Sequence, residues 1–128
     1  MPIQPPIAML LVEDDLGHAR LITKNLERAG LSSHAVVLHD GQQALDYLFK
    51  KNQYVGAEHS LPQLMLLDLN LPGLDGYHVL SRVKGDVCTQ HMMVVVFTTT
   101  DNPQEISKAY ALGLCISLFA KLLYQCMN

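Results

Sequence analysis

MLLVEDDLGH, residues 9–18, decides how the rest of the chain is read. It closes a continuous apolar run from Ile7 to Val12, which suits a strand buried on both faces better than one alternating between core and water. Glu13, Asp14 and Asp15 then stand side by side, where like charges repel and an apolar neighbourhood makes ionisation costly. One acid at a strand end is ordinary, but three in a row ask for a counter-charge. From Gly17 the period changes. Ala19, Leu21, Ile22, Leu26 and Ala29 recur at helical spacing with Arg20, Lys24 and Glu27 between them, and Gly30 offers a stop.

The same alternation continues along the chain. Ala35–Leu38 reads as a second strand, and Asp40-Gly41 leads into a helix carrying Ala44, Leu45, Leu48 and Phe49. A polar stretch from Lys50 to Ser60 connects to a third buried strand, Leu64 to Leu67, which again ends in an acid, Asp68. Pro72, Gly73 and Gly76 mark a turn, with Asp75 placed to cap a helix holding Val79, Leu80 and Val83. Met92 to Phe97 is the most apolar strand and runs into Thr98, Thr99 and Thr100. Asn102-Pro103 opens a helix through Ala109, Tyr110 and Leu112, Gly113 follows it, and Ile116 to Ala120 forms a fifth short strand.

Five apolar strands alternating with four amphipathic helices predict an α/β fold, a doubly wound parallel sheet with right-handed crossovers and helices on both faces. Ligands in such sheets bind outside the carboxyl ends of the strands. Glu13, Asp14 and Asp68 all fall at such ends, so two strands bring them to one place.

The 128 residues fit one domain with a single core. With 49% hydrophobic and 16% charged residues, the chain reads as compact rather than disordered. Its formal net charge of -3 argues against general affinity for nucleic acid, which shows as a basic face. Cys88, Cys115 and Cys126 are odd in number and form no CxxC pair, which suits reduced thiols rather than a zinc site or a disulfide framework. MPIQPP has no signal-peptide character and no apolar run is long enough to span a bilayer, so a cytoplasmic protein without membrane attachment is expected.

Carboxylates from two strands, hydroxyl-bearing Thr98 from another and Lys121 after the fifth make sense together if a hard divalent cation sits among the acids. Magnesium suits such a site, and the layout is the one needed to accept a phosphoryl group on an aspartate. At this point a family is recognisable. The chain resembles response-regulator receiver (CheY-like) domains over nearly its whole length, with LLVEDD, LMLLDLNLPGLDGYHVL and VVVFTTTDNP in the expected order. The separation of 30 residues between Asp68 and Thr98 is similar to the family spacing. EDDLGHARLI, the long segment before the third strand and the double Thr look most similar to single-domain regulators that serve phytochrome kinases.

The resemblance implies a flavodoxin-like, five-stranded sheet of order 2-1-3-4-5. It makes Glu13 and Asp14 the acid pair on Mg2+ and Asp68 both phosphoacceptor and metal ligand. Asn70 gives its backbone carbonyl to the metal, Thr98 is the hydroxyl that follows the phosphoryl group, and Lys121 pairs with phosphoryl oxygen. Asp15 matches no required position and is left for the rim or for the start of the first helix.

The C-terminal part departs from the family after about residue 113. Gly113 and Lys121 are 8 residues apart, one more than the usual receiver spacing, and Leu122 stands where the family has a proline. A cis bond before a residue other than proline costs about 2.5 to 4 kcal/mol, which puts the direction of Lys121 in question. Only Leu122 to Asn128 remain for the fifth helix, about 10 Å of helix, so that helix is expected to be missing or shortened. An apolar face is then left for self-association or tail exchange. Leu118 or Phe119 stands where many receivers place a switch aromatic.

Each site residue also has a plainer reading. Glu13 or Asp14 alone suits a cap for the first helix. Asp68 suits a turn, Thr98 a cap and Lys121 a solvated charge. The six histidines show no ligand spacing, and among them His18, near the acid loop, is the one to test. Met65, Met92 and Met93 suit gaps in the core. Two functions remain. The first is a stand-alone, single-domain receiver over residues 1–128, no enzyme beyond slow self-dephosphorylation. It takes a phosphoryl group from a sensor histidine kinase, with a bacteriophytochrome as the candidate, and answers by shape change and homo-oligomer formation. The second is a non-switching pseudo-receiver that serves as a dimerisation or binding module.

Overall fold

Strand and helix alternate as the apolar pattern requires. In the computed structural model, which describes residues 8–30, 35–69 and 71–97, the order is β1 (Met9–Val12), α1 (Leu16–Arg28), β2 (Ala35–Leu38), α2 (Gly41–Phe49), a short 3-10 turn (Asn52–Tyr54), β3 (Leu64–Asp68), α3 (Gly76–Gly85) and β4 (Met93–Phe97). The strands form one parallel sheet of order β2-β1-β3-β4. This agrees with the first four positions of the expected order. The expected strand Ile116 to Ala120, the helix opened by Asn102-Pro103, the shortened fifth helix and the tail face lie outside the described residues.

Successive strand residues point to opposite faces, so the unbroken apolar runs feed two cores. Leu10 and Val12 of β1, Met65 and Leu67 of β3, and Val94 and Val96 of β4 pack with Leu45 and Leu48 of α2 and with Val79, Leu80 and Val83 of α3. On the other face Met9, Leu11, Leu66 and Phe97 pack with Ala19, Ile22 and Leu26 of α1.

The helix starts follow from three aspartates. Asp15, Asp40 and Asp75 each precede the first helical residue in extended conformation and accept a backbone N–H from His18, Gln43 and His78, at 2.9, 2.7 and 2.9 Å. Each bond satisfies a donor that the helix itself leaves unpaired. At the other end of α1, Gly30 has a φ of 73° and ends the helix as its position suggested.

Three apolar expectations are corrected, the first being Ala29, which is exposed as the residue that closes α1 rather than part of its buried row. Leu21 is 40% exposed, because the buried row of α1 is Ala19, Ile22 and Leu26, and a residue beside Ile22 in sequence is turned about 100° away. Met93 is 63% exposed rather than in the core. It opens β4, and only further along that face do Val95 and Phe97 reach the cluster on α1. Met65 and Met92 are buried as expected.

The polar connection between α2 and β3 is held by rings. His59 stacks on Tyr47 with centroids 3.9 Å apart, its Nε2 donates to the Tyr47 carbonyl at 2.9 Å, and Tyr54 meets Tyr47 edge-on at 5.2 Å. His59 therefore serves packing.

Candidate functional site

Parallel register sets the site. Val12 of β1 lies opposite Leu67 of β3, so the next residues, Glu13 and Asp68, emerge side by side at the carboxyl end of the sheet. Glu13 is only 2% exposed and Asp68 8%, whereas Asp14 is exposed at the mouth. One carboxylate oxygen from each of the three lies within 4.8 Å of the others. The three acids that the sequence sets at strand ends thus converge in space.

Two local bonds fix Glu13. Its N–H donates to the Leu38 carbonyl at 3.0 Å, extending the β1–β2 ladder one residue past the strand. Its Oε1 accepts the Asp15 N–H at 3.0 Å. The acids thus divide their work: Asp15 caps α1, while Glu13 and Asp14 are left to the pocket. A cap role for Glu13 or Asp14 is therefore set aside, and the placement of Asp15 at the start of the first helix holds.

Burial pushes the Glu13 carboxyl up to about 8. The Asp15 N–H pulls the other way, and the Asp68 carboxyl, both as a charge and as a hydrogen-bond partner, and then the Asp14 charge push up again. Three carboxyls this close relieve their repulsion by keeping a proton between Glu13 and Asp68. A cation does the same without the proton. The donor set fits one: oxygen ligands only, two of them buried and converging from separate strands, is the chemistry of a hard divalent ion.

Gly76 explains how α3 starts so near this strand end. A Cβ there would stand 2.5 Å from the Asp68 carbonyl oxygen and 2.7 Å from the Leu69 Cα, so only glycine lets the helix pass. Its N–H donates to the Leu69 carbonyl at 3.3 Å, and the Leu69 N–H donates to the Phe97 carbonyl at 3.1 Å. Asp68 is thereby tied to the carboxyl end of β4, where Phe97 is its register partner.

Asn70, Thr98 and Lys121, the remaining expected site residues, lie outside the described residues, as do Leu118 and Phe119. One contributor escaped sequence reasoning. His39 sends its ring to the Glu13 carbonyl, with Nδ1 3.1 Å from the oxygen. The available signal was position, since His39 directly follows β2 and so sits at a carboxyl end like the acids. His18 enters through its backbone N–H on the Asp15 cap.

Comparison with known proteins agrees with this geometry. A family model, Response regulator receiver domain, matches residues 9–119. The probable methanogenesis regulatory protein FilR2 of Methanothrix harundinacea is 41% identical over 108 residues, 84% of this chain and 68% of that protein. Among solved structures, the phosphorylated cyanobacterial phytochrome response regulator RcpA superposes with a TM-score of 0.78 at 36% identity, covering 86% of this chain and 77% of that one. The Mn(2+)-bound form of response regulator Rcp1 superposes with a TM-score of 0.79 at 30% identity, over 92% and 89% of the two chains. The sheet order, the acids at its carboxyl end and these likenesses lead to one conclusion: the chain belongs to the family of response regulator receiver domains, the phosphoacceptors of two-component signalling.

Proposed function

We propose that Asp68 is the phosphoacceptor and that Glu13, Asp14 and Asp68 hold a Mg2+ ion, with the Asn70 carbonyl as a further ligand. The observation that carries this reading is the convergence of the three carboxylates within 4.8 Å at the carboxyl end of adjacent strands. The phosphorylated state of RcpA and the Mn(2+)-bound form of Rcp1 support it. When bound, the ion supplies positive charge for phosphoryl oxygens that carboxylates alone would repel.

The chain's own residues then do the following. β1 and β3 hold the acids in register. An Asp68 oxygen attacks the phosphorus of a phosphohistidine on a sensor kinase, forming a P–O bond as the P–N bond breaks, and the imidazole nitrogen leaves with the electron pair and is protonated from water. Thr98 follows the phosphoryl group and Lys121 pairs with its oxygen. The donor proposed is a histidine kinase of the bacteriophytochrome class, by likeness to the phytochrome regulator RcpA.

Residues 1–128 act in this reading as a single receiver domain in the cytoplasm, without nucleic-acid or membrane attachment. No helix among the described residues is long and apolar enough to cross a membrane. The chain is no enzyme beyond slow self-dephosphorylation. Its output is a change of shape read by association, including self-association as a homo-oligomer.

The test is intact mass after incubation with acetyl phosphate and Mg2+, on the parent and on Asp68→Asn, with size-exclusion elution of each. A phosphoryl adduct on the parent alone, with altered elution, is expected. An adduct on both proteins moves the acceptor elsewhere. Its absence from both, with one unchanging elution, favours the pseudo-receiver.

A further inference from the structure

His39 follows the last residue of β2 and faces the acid loop of the neighbouring strand. A carbonyl oxygen only accepts, so the 3.1 Å contact with the Glu13 carbonyl means that His39 donates from Nδ1. The Glu13 N–H in turn donates to the carbonyl of Leu38 at 3.0 Å. Both backbone polar groups of Glu13 are thus tied to consecutive residues at the end of β2.

The Glu13 carbonyl lies in the peptide plane that leads into Asp14, so holding the oxygen sets the direction in which the chain enters Asp14. Asp14 is the exposed member of the trio, and the backbone beneath it is what His39 holds. His39 is itself anchored from α2. Its N–H donates to Gln43 Oε1 at 3.3 Å, and the Gln43 N–H donates to Asp40 Oδ1 at 2.7 Å. A chain of hydrogen bonds therefore runs from the first turn of α2 to the loop that carries two of the three acids, on the side of β1 opposite Asp68.

We infer that His39 is a positioning residue for the cation pocket: its Nδ1–H holds the Glu13–Asp14 peptide so that both carboxyls converge on Asp68. This inference rests on the divalent-cation reading above. His39 acts through the peptide it holds, as outer partners of metal ligands do elsewhere.

The experiment is a Mn2+ titration of the full chain, with free Mn2+ read by electron paramagnetic resonance, on the parent and on His39→Ala, His39→Asn and His39→Gln. Melting temperatures in EDTA are measured alongside. The Asn amide nitrogen occupies the place of imidazole Nδ1, whereas that of Gln lies one bond further out. The expected result is a Kd raised about tenfold in His39→Ala, close to the parent in His39→Asn and raised again in His39→Gln.

Parent affinity in His39→Ala overturns the inference. So does an Asn variant no better than the Gln variant, or a loss of affinity that follows the metal-free melting temperature across the four proteins. If His39→Ala does not fold, the Asn and Gln pair decides alone. A parent that binds no Mn2+ overturns the cation reading itself, which is a different failure from a parent that binds and a His39→Ala variant that binds equally well.

Discussion

Glu13 sits at the end of β1 with two other carboxyls within reach, and burial, more than those neighbours, holds its proton up to about pH 8. In the unfolded chain the same group titrates near 4.5. Between these values the metal-free folded protein keeps a proton that the unfolded chain has lost. The stabilisation is therefore full below about 4.5 and is lost as pH rises through about 8. Urea unfolding in EDTA across this range is expected to show stability falling with pH, and Glu13→Gln, whose amide needs no proton, is expected to flatten that slope. An unchanged slope in the variant would assign it to other groups. Because a cation must displace the proton, Mg2+ affinity is also expected to weaken by about tenfold for each pH unit below 8.

At the scale of elements, the three cap aspartates were legible in part. In sequence Asp75 reads as a cap and Asp40 as the lead into α2, because each is followed by helical spacing and a small residue. In the run Glu13-Asp14-Asp15, the sequence offered three equivalent acids. Which of them caps α1 depends on where β1 stops pairing with β2, and the Glu13 N–H on the Leu38 carbonyl carries that pairing one residue past the strand. Replacing Asp75 by Ala removes the acceptor for the His78 N–H. It is expected to cost about 1 kcal/mol in urea unfolding while leaving Mg2+ affinity unchanged, since the carboxyl trio does not include it. A large loss of Mg2+ affinity would mean that the start of α3 and the Asp68 strand end move together across Gly76.

At the scale of the molecule, the sheet joins two cores and one acidic end among the described residues, so a ligand at that end stabilises everything that depends on the register. Mg2+ at about a hundred times its Kd is expected to add about 2.7 kcal/mol to unfolding free energy. Asp14→Ala is expected to lose most of this gain while keeping metal-free stability near that of the parent, because Asp14 is exposed and packs into neither core. Thermal denaturation with and without Mg2+ checks both proteins. An equal gain in each would place the ion away from Asp14.

The sequence by itself determined the alternation of strands and helices, the parallel sheet and the strand ends at which acids would gather. Continuous apolar runs such as Met9 to Val12 and helical spacing such as Ala19, Ile22 and Leu26 are local patterns, and they need no knowledge of distant residues. Tertiary structure decided what local pattern does not encode. Leu21 and Met93 were as apolar as their neighbours, yet their exposure depends on which surfaces the partner elements cover. Glu13 holds its proton first because the fold buries it, and further because Asp68, 55 residues away, is brought against it by the register of β1 and β3. His39 looked like any surface histidine until the pairing of β2 with β1 set its ring against the Glu13 carbonyl, a contact that exists only once both strands are in place.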